Sequence, residues 1–308
     1  MKLLTITIPL TLLLVSPAFS GNDTNYTYLA LGDSVPYGMN VGLLPPYSSQ
    51  LPTAAQFIGY PEAVAQAEHL AQSKKEVNLS CPGESSGSFL NVAVLDNGCN
   101  FPHVIPGVGS IPPFKAENGY PSNGIGLHTN YTNAQMDYAV AQLQANKHIN
   151  LVTLSIGAND VLLLLNQCGT DVACVNSGLP GVLGQYAANL GQILTGLRTV
   201  YQGQLILMTY YSPQPALNTI TQALNNTMLQ VVTALKAQPG FAPIAIADGY
   251  DAFQIASIPF GGDPCAAGLL VKLPAIMGMP ATCDIHPSQY GRDILAGTVE
   301  LAQLLGSH

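Results

Sequence analysis

Ser34 stands in Gly32-Asp33-Ser34, directly behind an apolar, β-favouring run from Tyr28 to Leu31, and Gly38 follows four residues later. A serine at that place leaves a strand rather than lying within it, so its hydroxyl is presented at the strand end, where open α/β sheets bind ligands. Three further pieces follow in order: Gly83 in Ser80-Cys81-Pro82-Gly83, then Gly157-Ala158-Asn159-Asp160, and finally Asp284-Ile285-His286-Pro287 with Gly291 behind it. Serine, histidine, an amide and exposed backbone N–H groups are the residue types of acyl transfer. An ester is cleaved through an oxyanionic tetrahedral intermediate, which calls for a nucleophile, a base to take its proton and donors for the developing charge. Singly, each piece has an ordinary use. Gly-Asp-Ser makes a β-turn, Asn159 caps a helix, Gly83 turns the chain, and Asp33 and Asp160 bond backbone near the serine turn.

The four pieces, in this order across the chain, resemble the four sequence blocks of the SGNH (GDSL) hydrolase family, secreted lipases and esterases of bacterial type. The resemblance implies a serine hydrolase in which Ser34 attacks the carbonyl carbon and His286 takes its proton and returns it to the leaving alcohol. It further implies an oxyanion hole made by the backbone N–H groups of Ser34 and Gly83 and the side-chain amide of Asn159. No cofactor and no metal is required by such a mechanism. In most relatives the acid that orients the histidine lies three residues before it, but here that place is Cys283 and the aspartate is Asp284, two before. Either Asp284 still reaches the imidazole, which is the expectation adopted, or a main-chain carbonyl near Cys283 replaces it.

These groups must be positioned by a strand-helix alternation. Tyr28–Leu31, Lys75–Ser80, Asn150–Ile156, Gln204–Tyr210 and Ala242–Ala247 read as strands. Pro61–Gln72, Thr132–Lys147, Val161–Leu165, Gly184–Tyr201, Asn218–Gln238 and Pro287–Leu305 read as helices, with Thr132 as an N-cap. The expected architecture is α/β, a three-layer α/β/α arrangement around a mainly parallel sheet of flavodoxin-like type, in a single domain over residues 21–308. The loop from Met39 to Gly59 is apolar and either walls an acyl site or packs on the domain. The stretch from Asn97 to Asn130 is rich in Pro, Gly and Asn, and reads either as a long loop along the cleft or as a surface excursion.

Composition narrows the partners. The 308 residues carry only 8% charged side chains and a net charge of −8, with nine Lys and Arg forming no patch, which argues against nucleic acid. Residues 1–20, with Lys2, an apolar run to Val15 and small residues at Ala18 and Ser20, read as a signal peptide, placing the chain in a secreted or periplasmic location. No stable membrane span follows; Lys272, Pro274 and Pro280 interrupt the one later apolar stretch. Six cysteines in an exported chain favour disulfides, and they fall into three local couples: Cys81 with Cys99, Cys168 with Cys174, Cys265 with Cys283. Zinc is disfavoured by the absence of Cys-x-x-Cys, and calcium at Asp248, Asp251 and Asp263 by the absence of its loop pattern. The expected partner is a small-molecule or lipid ester, met by a monomer. Two other readings stand beside the esterase or lipase: a carbohydrate O-deacetylase whose Tyr37, Tyr47 and Tyr60 stack on sugars, and a catalytically silent glycan- or lipid-binding module.

Overall fold

The computed structural model describes residues 27–50, 52–70, 76–105, 109–115, 125–276 and 280–306. Residues 1–20, which read as a signal peptide, and Asn22 and Asn25, each of which opens an Asn-x-Thr glycosylation sequon, lie outside the described residues. In chain order the elements are β1 (Thr27–Gly32), α1 (Ser34–Tyr37), α2 (Tyr60–Ala67), β2 (Glu76–Asn78), α3 (Ser86–Leu90), β3 (His103–Ile105), β4 (Gly109–Ile111), α4 (Gln135–Ala145) and β5 (Ile149–Ser155). They continue as α5 (Ala158–Cys168), α6 (Val172–Val200), β6 (Gln204–Met208), α7 (Asn218–Lys236), β7 (Ile244–Ala247), α8 (Gly249–Ser257), β8 (Leu270–Leu273), β9 (Thr282–Pro287) and α9 (Gln289–Gly306).

Five strands form a parallel sheet in the order β2-β1-β5-β6-β7. Strands covered on both faces need apolar side chains on both, and Leu151, Val152, Leu154, Leu205, Ile206 and Leu207 are all buried. Helices α2, α8 and α9 pack together on one side, while α6 gathers α3, α4, α5 and α7 on the other. The result is the expected three-layer α/β/α fold. From β1 the chain moves outward to β2, then returns to the opposite side of β1 as β5. The crevice at the carboxyl ends of β1 and β5 is therefore a topological switch point, the place where such sheets bind ligands. Ser34 leaves one of these two strands and Asn159 follows the other.

Several elements differ from the sequence expectation. Ser34 opens a four-residue helix, α1, rather than a simple turn. Helix α2 ends at Ala67, not Gln72, because His69 adopts φ 58° and the Leu70 N–H returns to Ala65 O. Helix α4 begins at Gln135, since Ala134 is extended, so Thr132 is not its cap. The Pro- and Gly-rich stretch after Asn97 contains an antiparallel pair, β3 with β4. Helix α6 starts at Val172 instead of Gly184 and carries Pro180 inside it, and Asp171 caps its start by accepting from the N–H groups of Ala173 and Cys174. All three expected disulfides form: Cys81–Cys99, Cys168–Cys174 and Cys265–Cys283. Among the described residues no helix is long and apolar enough to cross a membrane.

Two sequon asparagines are occupied within the fold. Asn78 donates to Pro36 O at 3.0 Å and to Glu62 Oε1 at 2.9 Å, and Asn225 exchanges two bonds with the Tyr210 backbone at 2.9 and 2.8 Å. Beside Asn78, burial and the nearby Glu62 push the Glu76 carboxyl up to about 8.

The joint between β1 and β5 is tight. Gly32 sits at φ 133°, and a Cβ there would lie 2.0 Å from Ser155 O, which is itself backbone that accepts the Asp33 N–H at 3.1 Å. Gly32→Ala is expected to cost about 3 kcal/mol or more, through backbone strain and forced separation of the two strands. Thermal or urea unfolding of the variant checks this, and an unchanged midpoint would contradict it.

Candidate active site

Asp33 caps α1 and so shapes the serine turn. Its Oδ1 accepts the Val35 N–H at 3.0 Å and its Oδ2 accepts the Tyr210 hydroxyl, whose backbone is the one that Asn225 clamps. The carboxyl is fully buried, and that burial pushes its pKa up to about 6 against the opposing pull of Tyr210, the Val35 N–H and His286. Asp33 is thus the structural residue of the turn, as expected. Asp160 does a different job from the one expected: its two oxygens accept the Ser86 N–H at 2.8 Å and the Ser86 hydroxyl at 2.6 Å, so it fastens α3 rather than the serine turn.

His286 and Asp284 both lie on β9, paired antiparallel with β8. Side chains two apart in a strand share a face, and Asp284 and His286 are buried while Ile285 between them is exposed. That alternation places the two side chains on one side of the strand at a spacing of two. Asp284 Oδ2 lies 2.9 Å from His286 Nδ1, and His286 Nε2 lies 2.9 Å from Ser34 Oγ. The aspartate, and not a main-chain carbonyl near Cys283, is the partner of the imidazole. Asp284 also accepts the N–H groups of Val41 at 3.2 Å and Ile285 at 2.7 Å, while Tyr211 donates to Ile285 O at 2.7 Å.

The electrostatics follow. Burial pulls the Asp284 carboxyl upward, but the facing imidazole and these N–H donors outweigh it and hold the group below its ordinary value. Burial pulls His286 downward, but Asp284 and then Asp33 outweigh it and raise the imidazole above its ordinary value. An ionised Asp284 can only accept, so Nδ1 carries the proton, and in the neutral ring Nε2 is left to accept from the Ser34 hydroxyl.

The amide of Asn159, near the start of α5, donates one hydrogen to Glu84 O at 3.0 Å, and its Oδ1 accepts from Asn97 at 3.3 Å. An amide nitrogen carries two hydrogens, and Asn159 lines the same cleft as Ser34 and His286. Gly83, next to Glu84, is buried as well. It holds φ 85°, its carbonyl accepts the Asn97 N–H at 2.8 Å, and a Cβ would meet that loop at 2.3 Å.

The cleft is partly open to solvent, and its empty space, counted together with that open solvent, is about 640 Å³. Its apolar walls come from α5 and α7 with the segment before it, through Leu162, Leu165, Leu217, Ile220 and Leu224, and from Ile285. The loop from Met39 to Gly59 does not supply the wall: Leu44 and Phe57 pack into the core, and the loop's contribution is the Val41 N–H on Asp284. Tyr37 and Tyr60 are fully buried, so neither stacks on a sugar. The wall residues were signalled by Val161-Leu162-Leu163-Leu164-Leu165, since a helix cannot turn five consecutive apolar residues to one buried face. Among the described residues the one group with metal-ligand geometry is Cys81, Glu84 and Cys99, and its two sulfurs are joined in a disulfide.

No curated protein sequence matches this chain. Among solved structures it is similar to a lipase from a goat rumen metagenome, at 14% identity and TM-score 0.50 over 90% of this chain and 97% of that one. A candidate GDSL-like lipase from Parabacteroides merdae is similar at 13% identity and TM-score 0.50, over 91% and 96% of the two chains. At such identities these likenesses speak for the fold. The family model for GDSL-like lipases and acylhydrolases matches residues 28–297, from the start of the first strand to within the last helix. The chain belongs to the GDSL-like lipase/acylhydrolase family.

Proposed function

We propose that this protein is an exported serine hydrolase that cleaves carboxylic esters through an acyl-enzyme, with Ser34 as nucleophile, His286 as base and then acid, and Asp284 orienting and stabilising the imidazole. The observation that carries this reading is the unbroken line from Asp284 through His286 to Ser34, 2.9 Å at each step, opening on an apolar cleft. As Ser34 attacks, its proton passes to His286 Nε2, and the imidazolium so formed faces the Asp284 carboxylate. Asn159, through the amide hydrogen that Glu84 does not use, and the backbone N–H groups of Ser34 and Gly83 are the proposed donors to the oxyanion. His286 then returns the proton to the leaving alcohol, and water repeats the sequence on the acyl-enzyme. Three disulfides and the leader-like first 20 residues support export.

The cleft favours an ester with an apolar acyl chain over an acetylated sugar. Its walls are aliphatic, and two of the three tyrosines that would stack on a sugar are in the core. A silent binding module has no use for a serine hydroxyl aligned on a charged histidine-aspartate pair.

Initial rates on p-nitrophenyl esters from acetyl to palmitoyl test this. Ser34→Ala is expected to lose about a thousandfold or more in kcat; retained turnover would overturn the mechanism. The rate should rise with pH, because His286 must be neutral to act and its raised pKa keeps it charged to higher pH than an ordinary histidine. In Asp284→Ala the largest influence holding that pKa up is gone, so the acid limb should move to lower pH while the plateau falls about a thousandfold or more. An unmoved limb would contradict the assignment of Asp284. Wild type should prefer chains longer than acetyl, and Leu165→Trp should shift the preference shorter. A wild-type optimum at acetyl would instead favour the deacetylase.

A further inference from the structure

Strand β1 outlasts its neighbour. Strand β2 pairs with β1 only as far as Asn78 against Ala30; beyond it the N–H groups of Leu79 and Cys81 still donate to Ala30 O at 2.9 Å and Gly32 O at 3.0 Å, but no carbonyl of that segment takes the Gly32 N–H in return. The last residue of β1, Gly32, is left with an N–H that no strand receives on that side. A side chain from an element more than 100 residues away takes the strand's place. Gln135, the first residue of α4 and fully buried, accepts the Gly32 N–H on Oε1 at 2.7 Å and donates from Nε2 to Gly32 O at 3.0 Å. The other Nε2 hydrogen goes to Glu84 Oε2 at 2.8 Å. Glu84 is also fully buried, its Oε1 accepts from Ser88 at 3.0 Å, and its backbone carbonyl accepts the Asn159 amide at 3.0 Å.

One amide group therefore spans the separate segments of the site. Gly32 is two residues before the serine, Glu84 is next to Gly83, and Asn159 hangs from Glu84. Resting on the serine-hydrolase reading above, we infer that Gln135 is a positioning residue that sets the serine turn in register with the Asn159 amide through a Gly32–Gln135–Glu84–Asn159 hydrogen-bond bridge. Gln135 touches neither the cleft nor any reacting atom. It acts on the distance between the nucleophile and the donor to the oxyanion, a quantity that matters to the transition state and little to the bound ester. A misplacement of about 1 Å at a reacting centre costs on the order of a hundredfold in rate.

Gln135→Glu tests the bridge. The substituted side chain keeps an acceptor for the Gly32 N–H, but when ionised it can no longer donate, and it sets a second carboxylate against Glu84. Gln135→Glu/Glu84→Gln reverses that clash, because the amide now at position 84 can donate to the carboxylate at position 135. Gln135→Met removes every bond of the bridge without adding charge, and serves if the Gln135→Glu variant does not fold. Competent enzyme is counted by release of p-nitrophenolate from diethyl p-nitrophenyl phosphate, which phosphorylates the active serine, so that kcat on p-nitrophenyl butyrate refers to titrated sites. Expected for Gln135→Glu and Gln135→Met is a kcat lower by about 10- to 100-fold with KM changed by less than about threefold. Expected for the double variant is recovery of at least about tenfold of the loss in Gln135→Glu. Unchanged kcat per titrated site in both single variants, a loss confined to KM, or no recovery in the double variant would overturn the inference while leaving the serine mechanism intact. Failure of the phosphate to label wild type at Ser34 would overturn the serine mechanism, and this inference with it.

Discussion

Parallel strands cannot be joined by a tight turn, so pairing β1 with β5 requires the chain to leave the sheet and return more than 100 residues later. That one pairing is what brings the serine turn and the asparagine turn together. Its register, Leu31 against Leu154 and Gly32 against Ser155, ends both strands at the same level. The backbone there is too close for a side chain at Gly32, and the Asp33 N–H completes the join on Ser155 O. Everything in the site is measured from this edge: α1 and α5 start from it, the Cys81 N–H and Gln135 close its outer side, and β9 comes over it carrying His286.

His286 is supported in a different way from Ser34. Ser34 is held by buried parallel structure, whereas His286 stands on a two-stranded antiparallel hairpin outside the main sheet. Such a hairpin is marginal by itself. It is held by the Cys265–Cys283 disulfide, by the Tyr211 hydroxyl on Ile285 O, and by the Val41 N–H on Asp284. The loop after α1 therefore reaches the Asp284–His286 pair through a backbone donor and not through its apolar side chains. The cleft's aliphatic wall belongs to α5 and α7, helices that begin just beyond the carboxyl ends of β5 and β6, so the same switch point that gathers the polar groups also determines what lies opposite them.

The central strands were legible in the sequence because they are buried on both faces, and Leu151-Val-Thr-Leu-Ser155 or Leu205-Ile-Leu207 read as continuous apolar runs that only a covered strand can use. The serine, the asparagine and the histidine were legible because turn-forming residues mark each strand end. Strand β9 was not, since Cys283-Asp-Ile-His286 alternates polar and apolar over too short a span to distinguish a strand from a loop, and with it went the reason that a spacing of two serves. The wall of the cleft was missed because the apolar run Val161–Leu165 signals that some of its residues lie off the core face but not which ones; packing shows that Leu164 is buried away from the cleft while Val161, Leu162 and Leu165 line it. Tyr37 and Tyr60 failed in the opposite sense. A tyrosine near a serine turn suggests a binding platform, but both rings fill the core beneath α1. Gln135 and Glu84 carried no signal, since a single buried amide and a single buried carboxyl have no periodicity.

The buried carboxyls set the pH response of folding against that of the base. Asp33, Glu84 and Glu76 are held at about 6, about 7 and about 8, chiefly by burial, although Lys115 pulls Glu84 the other way. A carboxyl whose pKa is higher folded than unfolded supports the fold fully at pH below its unfolded value, and that support fades as the pH climbs through the folded one. For these three the fading runs from about pH 4 to about pH 8. In the proposed mechanism His286 requires the opposite change, serving as a base only as its own raised pKa is passed. In the proposed mechanism, the pH range over which these three carboxyls withdraw their support from the fold therefore lies on the side toward which the histidine becomes available as a base.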